Sequence, residues 1–82
     1  MKLPRNVSGE DLVRFLKKFG YQPTRQTGSH IRLTRSTESE EFHLTIPAHN
    51  PLRIGTLHAI LVQASLQTGL ELEKLRQMLS GV

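Results

Sequence analysis

A histidine at the mouth of a glycine turn, flanked by arginines, is the group of side chains in this sequence best suited to chemistry. The stretch Thr24-Arg25-Gln26-Thr27-Gly28-Ser29-His30-Ile31-Arg32-Leu33 reverses at its glycine and enters an alternating segment. Successive strand side chains point to opposite faces, so Ile31 and Leu33 face one way and His30, Arg32 and Thr34 the other. One face is core, and the other sets a base that works near neutral pH beside fixed positive charge. Metal-free cleavage of RNA needs such a set: a base to take the 2′-hydroxyl proton and donors to stabilise charge gathering on phosphorus. His30 is the candidate base, Arg25 and Arg32 the charge stabilisers, and Gln26, Ser29 or the Gly28 backbone the holder of a phosphate oxygen. Spacing alone leaves a second reading open, in which His30 is an incidental strand side chain.

Other chemistries have less to stand on. There are no cysteines, which removes disulfides, thiolate catalysis and cysteine-based zinc sites together. His30, His43, His49 and His58 show no standard ligand spacing and have no acidic pair among them, so no metal site is expected. A Ser29–His30 nucleophilic pair fails if both lie in one strand, because neighbours there point apart. Glu38, Glu40 and Glu41 fall in or beside a loop and read as charge that blunts an edge. If apolar residues pair across the hairpin, Leu33 opposes Phe42 or Leu44 and His30 opposes Thr45 or Pro47. His43 then lies several residues from His30, whereas His49, just past Pro47, can fold back toward it.

With 82 residues the chain is one domain, and a chain of this size buries only roughly 60% of the surface its unfolded form exposes. A few well-spaced aliphatics must supply the core. The opening Met1-Lys2-Leu3-Pro4-Arg5 is too polar and short for an insertion segment, so a soluble, cytoplasmic protein without a membrane partner is expected. Eleven Lys and Arg against seven Asp and Glu give a net charge of +4. Six of the cations, Arg14, Lys17, Lys18, Arg25, Arg32 and Arg35, form a block with no acid inside it. Such a block attracts phosphate, or else keeps a small protein soluble. Lys17 and Lys18 are candidate RNA contacts with a simpler role as partners of a helix dipole. One tyrosine and three phenylalanines are too few for a stacking platform.

These residues need elements to position them. Ser8 caps a first helix, with Asp11 standing in for the Glu or Gln of a capping box, and Leu12, Leu16 and Phe19 make its buried stripe. Gly20 stops it. Tyr21 to Gln26 reads as a first strand with Pro23 at an edge, Thr27-Gly28 as the reversal, and Ser29 to Arg35 as the second strand. Glu41 to Ile46 is the third, with Phe42, Leu44 and Ile46 facing the core. A second helix begins at Gly55 or Thr56 with Leu57, Ile60, Leu61 and Ala64 inward. Thr68-Gly69-Leu70-Glu71 reads as a capping box opening a short third helix with a Leu72, Leu75, Leu79 stripe. The expectation is an α+β fold: helix, three-stranded antiparallel sheet, helix, short C-terminal helix, in a single domain over residues 1–82.

The sequence resembles the HicA (YcfA-like) family of toxin mRNA interferases, on five segments in order: Ser8-Gly9 with Leu12 and Leu16, Gly20-Tyr21, Arg25-Gln26-Thr27-Gly28-Ser29-His30, Thr45-Ile46-Pro47-Ala48-His49, and Gly55-Thr56-Leu57-His58-Ala59-Ile60-Leu61. The likeness runs from about Ser8 to Ala64. It implies a fold similar to the double-stranded RNA-binding domain (dsRBD-like), metal-independent cleavage of mRNA without a cofactor, and His30 as catalytic residue. It also implies a HicB-type antitoxin partner that covers the active site. His49 matches a recurrent family histidine and is carried as an accessory residue without a role. Thr27 departs from the family in standing where a basic residue is common, and the 50–54 loop has an extra proline. The C-terminal helix is less typical, and both a structural cover and a homo-oligomer surface fit its leucine stripe. A non-catalytic RNA-binding module using the same face is the alternative.

Overall fold

The computed structural model describes residues 3–81; Met1, Lys2 and Val82, the ends of the expected domain, lie outside the described residues. Helix α1 spans Gly9–Lys17, strands β1, β2 and β3 span Gln22–Thr27, His30–Ser36 and Glu41–Pro47, and helices α2 and α3 span Ile54–Thr68 and Leu72–Ser80. The strands form one antiparallel sheet in the order β1-β2-β3. This is the expected α-β-β-β-α order with a further C-terminal helix.

The helices cover one face of the sheet. Leu33, Leu44 and Ile46 from β2 and β3 are buried with Leu12 and Leu16 of α1 and Leu57 and Leu61 of α2. Full burial of each such side chain contributes about 1.5–3 kcal/mol. Leu75 and Leu79 of α3 join the same core, and Leu72 packs against it, so the α3 stripe turns inward as a cover. Arg76 of α3 reaches His58 of α2 at 2.8 Å. Among the described residues no helix is long and apolar enough to cross a membrane.

Helix α1 starts as the sequence indicates. The Ser8 hydroxyl accepts from the Asp11 N–H and the Asp11 carboxylate accepts from the Ser8 N–H, both at 3.0 Å. Those two bonds, with Ser8 the larger cause and the paired Arg14 a smaller one, hold the Asp11 carboxyl below its ordinary value of 3.8. The α3 start differs from expectation. Thr68 does not cap α3: its hydroxyl donates to the Ala64 carbonyl at 2.7 Å, inside α2, which runs on to a left-handed cap at Gly69. A threonine before a glycine serves the end of a helix as readily as the start of the next. Helix α3 has Glu71 as N-cap with no side-chain cap bond.

Three backbone bonds clamp one end of the sheet. The Ala48 N–H donates to the Ser29 carbonyl at 2.6 Å, the Gly9 N–H to the His49 carbonyl at 2.8 Å, and the Leu52 N–H to the Val7 carbonyl at 2.8 Å. The start of α1 therefore lies against the exit of β3. A Cβ at Gly9 would land on the Pro47 carbonyl, so only glycine lets the two backbones approach this closely.

Two outcomes follow. Gly9→Ala should destabilise the fold by about 3 kcal/mol through overpacking, read as a lower urea midpoint at unchanged slope. Asp11, whose folded pKa lies below 3.8, contributes stability that is complete above that value and lost as pH falls through the lowered one. Asp11→Asn should therefore flatten the acid limb of the melting temperature against pH and leave the neutral-pH dependence unchanged.

Candidate active site

The hairpin is built around a two-residue turn. Thr27 pairs with His30, which leaves Gly28 and Ser29 as the turn residues, one position later than the Thr27-Gly28 reversal read from sequence. Gly28 has φ of +58°, the glycine-first pattern of a II′ turn, which matches the twist of the strands it joins. Ser29 is thus not a strand residue. Its carbonyl is taken by Ala48, and its hydroxyl makes no bond to His30 among the described residues. The Gln26 amide donates to the Gly28 carbonyl at 3.3 Å, so it braces the turn.

The register gives His30 its direction. Leu33 pairs with Leu44 and His30 with Pro47, one of the two alternatives the apolar pattern allowed. His30, Arg32 and Thr34 face away from the helices. On β1 a bulge between Pro23 and Arg25 makes Thr24 the extra residue and brings Arg25 opposite Arg32. Without it, Pro23 opposite Leu33 would make Arg25 oppose Ile31 and face the helix side. The Thr24 hydroxyl lies 2.8 Å from that of Thr34, which secures the bulge. Gln26 pairs with Ile31 and so faces the opposite side from His30.

What results is a shallow cleft of about 180 Å³ walled by Arg25, Thr27, His30, Arg32 and Thr45. Neither Arg25 nor Arg32 has a carboxylate partner among the described residues, although the two stand opposite each other. Like charges at such a position repel, so an anion between them relieves that repulsion. The His30 ring makes no hydrogen bond among the described residues and is open to solvent.

His43 enters the site in a way the sequence reading did not find. Thr34 opposes it, four strand positions along from His30, and its Nδ1 lies 3.4 Å from the Arg32 Nε and 3.0 Å from the Thr34 hydroxyl. Its Nε2 lies 3.5 Å from the Glu41 carboxylate. With Nδ1 accepting from Arg32, the ring carries its proton on Nε2 toward Glu41. The chain Glu41–His43–Arg32 thereby orients the guanidinium. The only advance signal was the alternation that put His43 on the open face.

The remaining candidates fall elsewhere. Lys17 and Lys18 end α1 at the opposite end of the sheet from the hairpin turn, where the Phe19 carbonyl accepts from Arg35 Nε at 2.9 Å. Lys18 instead lines a separate cleft of about 590 Å³ with Arg5, Arg14, Phe15 and Leu79, which has no histidine among its lining residues. His49 has its backbone tied to Gly9 and its side chain exposed, and it is not part of the His30 wall. No cluster of three metal-ligating side chains occurs among the described residues.

A family model described as HicA toxin of bacterial toxin-antitoxin matches residues 9–66, the segment from the start of α1 to near the end of α2. No curated protein and no solved structure gives a match. The matched segment holds the whole His30 cleft and both helices behind it, and the chain belongs to the HicA family of bacterial toxins, proteins that act opposite an antitoxin partner.

Proposed function

We propose that this toxin is a metal-independent endoribonuclease acting on mRNA in the cytoplasm, with His30 as general base. The observation that carries the reading is the unpartnered His30 imidazole in one cleft with two guanidiniums that lack carboxylate partners among the described residues, on a face open to solvent. Family membership points the same way.

In the reaction, a phosphodiester group settles between Arg25 and Arg32. His30 removes the proton from the adjacent 2′-hydroxyl, and O2′ attacks phosphorus. The negative charge on the phosphorane oxygens is met by the two guanidiniums. His43 holds Arg32 for this task through Nδ1. The bond to the 5′ oxygen breaks, that oxygen takes a proton from solvent, and a 2′,3′-cyclic phosphate remains. Gly28, Ser29 and Gln26 set the position of His30 by shaping the turn. A HicB-type antitoxin that lays acidic or backbone acceptor groups over Arg25 and Arg32 silences the toxin by occupying the phosphate position.

Purified protein incubated with mixed-sequence RNA in EDTA should cut it and leave cyclic or 3′-phosphate ends. His30→Ala should lose about 10²- to 10⁴-fold in rate while retaining RNA affinity and fold. No cutting by either protein, with both still binding RNA, would move the assignment to a non-catalytic RNA-binding module. Arg25→Ala and Arg32→Ala should each lower the slope of log affinity against log salt by about 0.7. Lys17→Ala and Lys18→Ala, at the far end of the sheet, should leave cleavage unchanged.

A further inference from the structure

A second cleft, about 490 Å³, lies between the free edge of β3 and α2, walled by His43, Thr45 and Pro47 on the strand and Gly55, Thr56, Ala59 and Gln63 on the helix. Thr45 is a wall of both this cleft and the His30 cleft, so the two adjoin.

The polar groups here follow from strand geometry. β3 is an edge strand, and in an antiparallel ladder alternate residues turn their backbone N–H and C=O outward. The His43 carbonyl is one of these, because the Gln67 side-chain amide of α2 donates to it at 3.1 Å. Thr45, two residues on, is therefore outward as well. Helix α2 runs antiparallel to β3. Stepping back four residues from Gln67 to Gln63 moves about 6 Å along the helix, and two strand residues cover about 7 Å, so Gln63 stands level with Thr45. Gln67 is spent: besides the His43 carbonyl, it accepts from the Tyr21 hydroxyl at 2.7 Å. The Gln63 amide and the outward Thr45 groups have no partner among the described residues. Together they offer two donors or donor groups and two acceptors above a floor that includes Ile60.

We infer that this cleft is a nucleobase subsite. It takes the base next to the phosphodiester held at His30 and reads its hydrogen-bonding edge with the Gln63 amide and the Thr45 backbone. Single-stranded RNA is read by proteins in this way, through unstacked bases whose edges meet side-chain and backbone groups. The small residues Gly55 and Ala59 leave the room the base needs. The inference rests on the His30 face being the RNA site, and it assigns to Gln63 the choice of sequence rather than any part in bond breaking.

The test uses 2′-O-methyl oligonucleotides, which cannot be cut, with each of the four bases placed in turn at every position of a short strand. Binding of wild type should single out one position at which one base is preferred. Gln63→Ala should reduce that preference about tenfold, and Ala59→Leu, which fills the cleft from an exposed position, should abolish it. In cleavable RNA, both variants should alter which sites are cut and His30→Ala should stop cutting while keeping the binding preference. Wild-type preference retained by both variants, or no base preference in the wild type, would overturn the inference. So would an unchanged preference together with weakened antitoxin binding, which would make the cleft a peptide groove. Loss of cutting by wild type with the binding preference intact would overturn the ribonuclease reading and leave the subsite standing.

Discussion

The site depends on the register of β2 between its two neighbours. A slip of one residue would turn His30 and Arg32 into the helix face and put Ile31 and Leu33 in water, since side chains alternate along a strand. Burial of Leu33 against Leu44 opposes that slip directly. The Gly28-Ser29 turn fixes the same register from one side, and the Ser29–Ala48 backbone bond fixes it from the other. Core packing and the geometry of the His30 cleft are therefore one constraint here. The close approach of Gly9 to Pro47 extends the clamp to α1.

Strand parity also divides the arginines. Arg32 and Arg35 are three apart, so they leave β2 on opposite faces. Arg35 goes under the helices, donating to the Phe19 carbonyl and, at 3.1 Å, to the Gln67 carbonyl, with its guanidinium 6.0 Å from the Phe42 ring centre. Its charge opposes burial at Tyr21, whose hydroxyl burial nonetheless pushes above its ordinary value. Arg32 stays outside with Arg25, where neither meets a carboxylate among the described residues. The cationic block read from the sequence is thus three separate groups: a structural tie, a pair at the cleft, and Arg14, Lys17 and Lys18 on α1.

Much of this was legible beforehand because period-two and helical patterns leave few arrangements for so short a chain. The strands and the inward leucines of each helix follow from apolar spacing, the capped start of α1 from Ser8 and Asp11, and apolar pairing narrowed the partner of His30 to Thr45 or Pro47, of which the structure has Pro47. The bulge at Thr24 was not legible, since an extra residue in a strand exposed along its length leaves no mark in hydrophobic alternation. That one residue is what brings Arg25 to the His30 face. Thr68-Gly69 misled for the opposite reason, a pattern that suits either end of a helix. Proximity in sequence likewise grouped Lys17 and Lys18 with the turn, whereas the length of β1 separates them from it. His43 joins the site through contacts across strands, which spacing along one strand does not encode.

The proposed RNA face is tested most directly by a titration of the backbone amide spectrum with an uncleavable 2′-O-methyl oligonucleotide. Shifts centred on Arg25 to Arg32 and on His43 to Pro47, with α1 and α3 unmoved, are the predicted result. Shifts confined to the cleft lined by Arg5, Arg14, Lys18 and Leu79 would contradict the account, because they would place the nucleic acid in a cleft with no histidine in its wall.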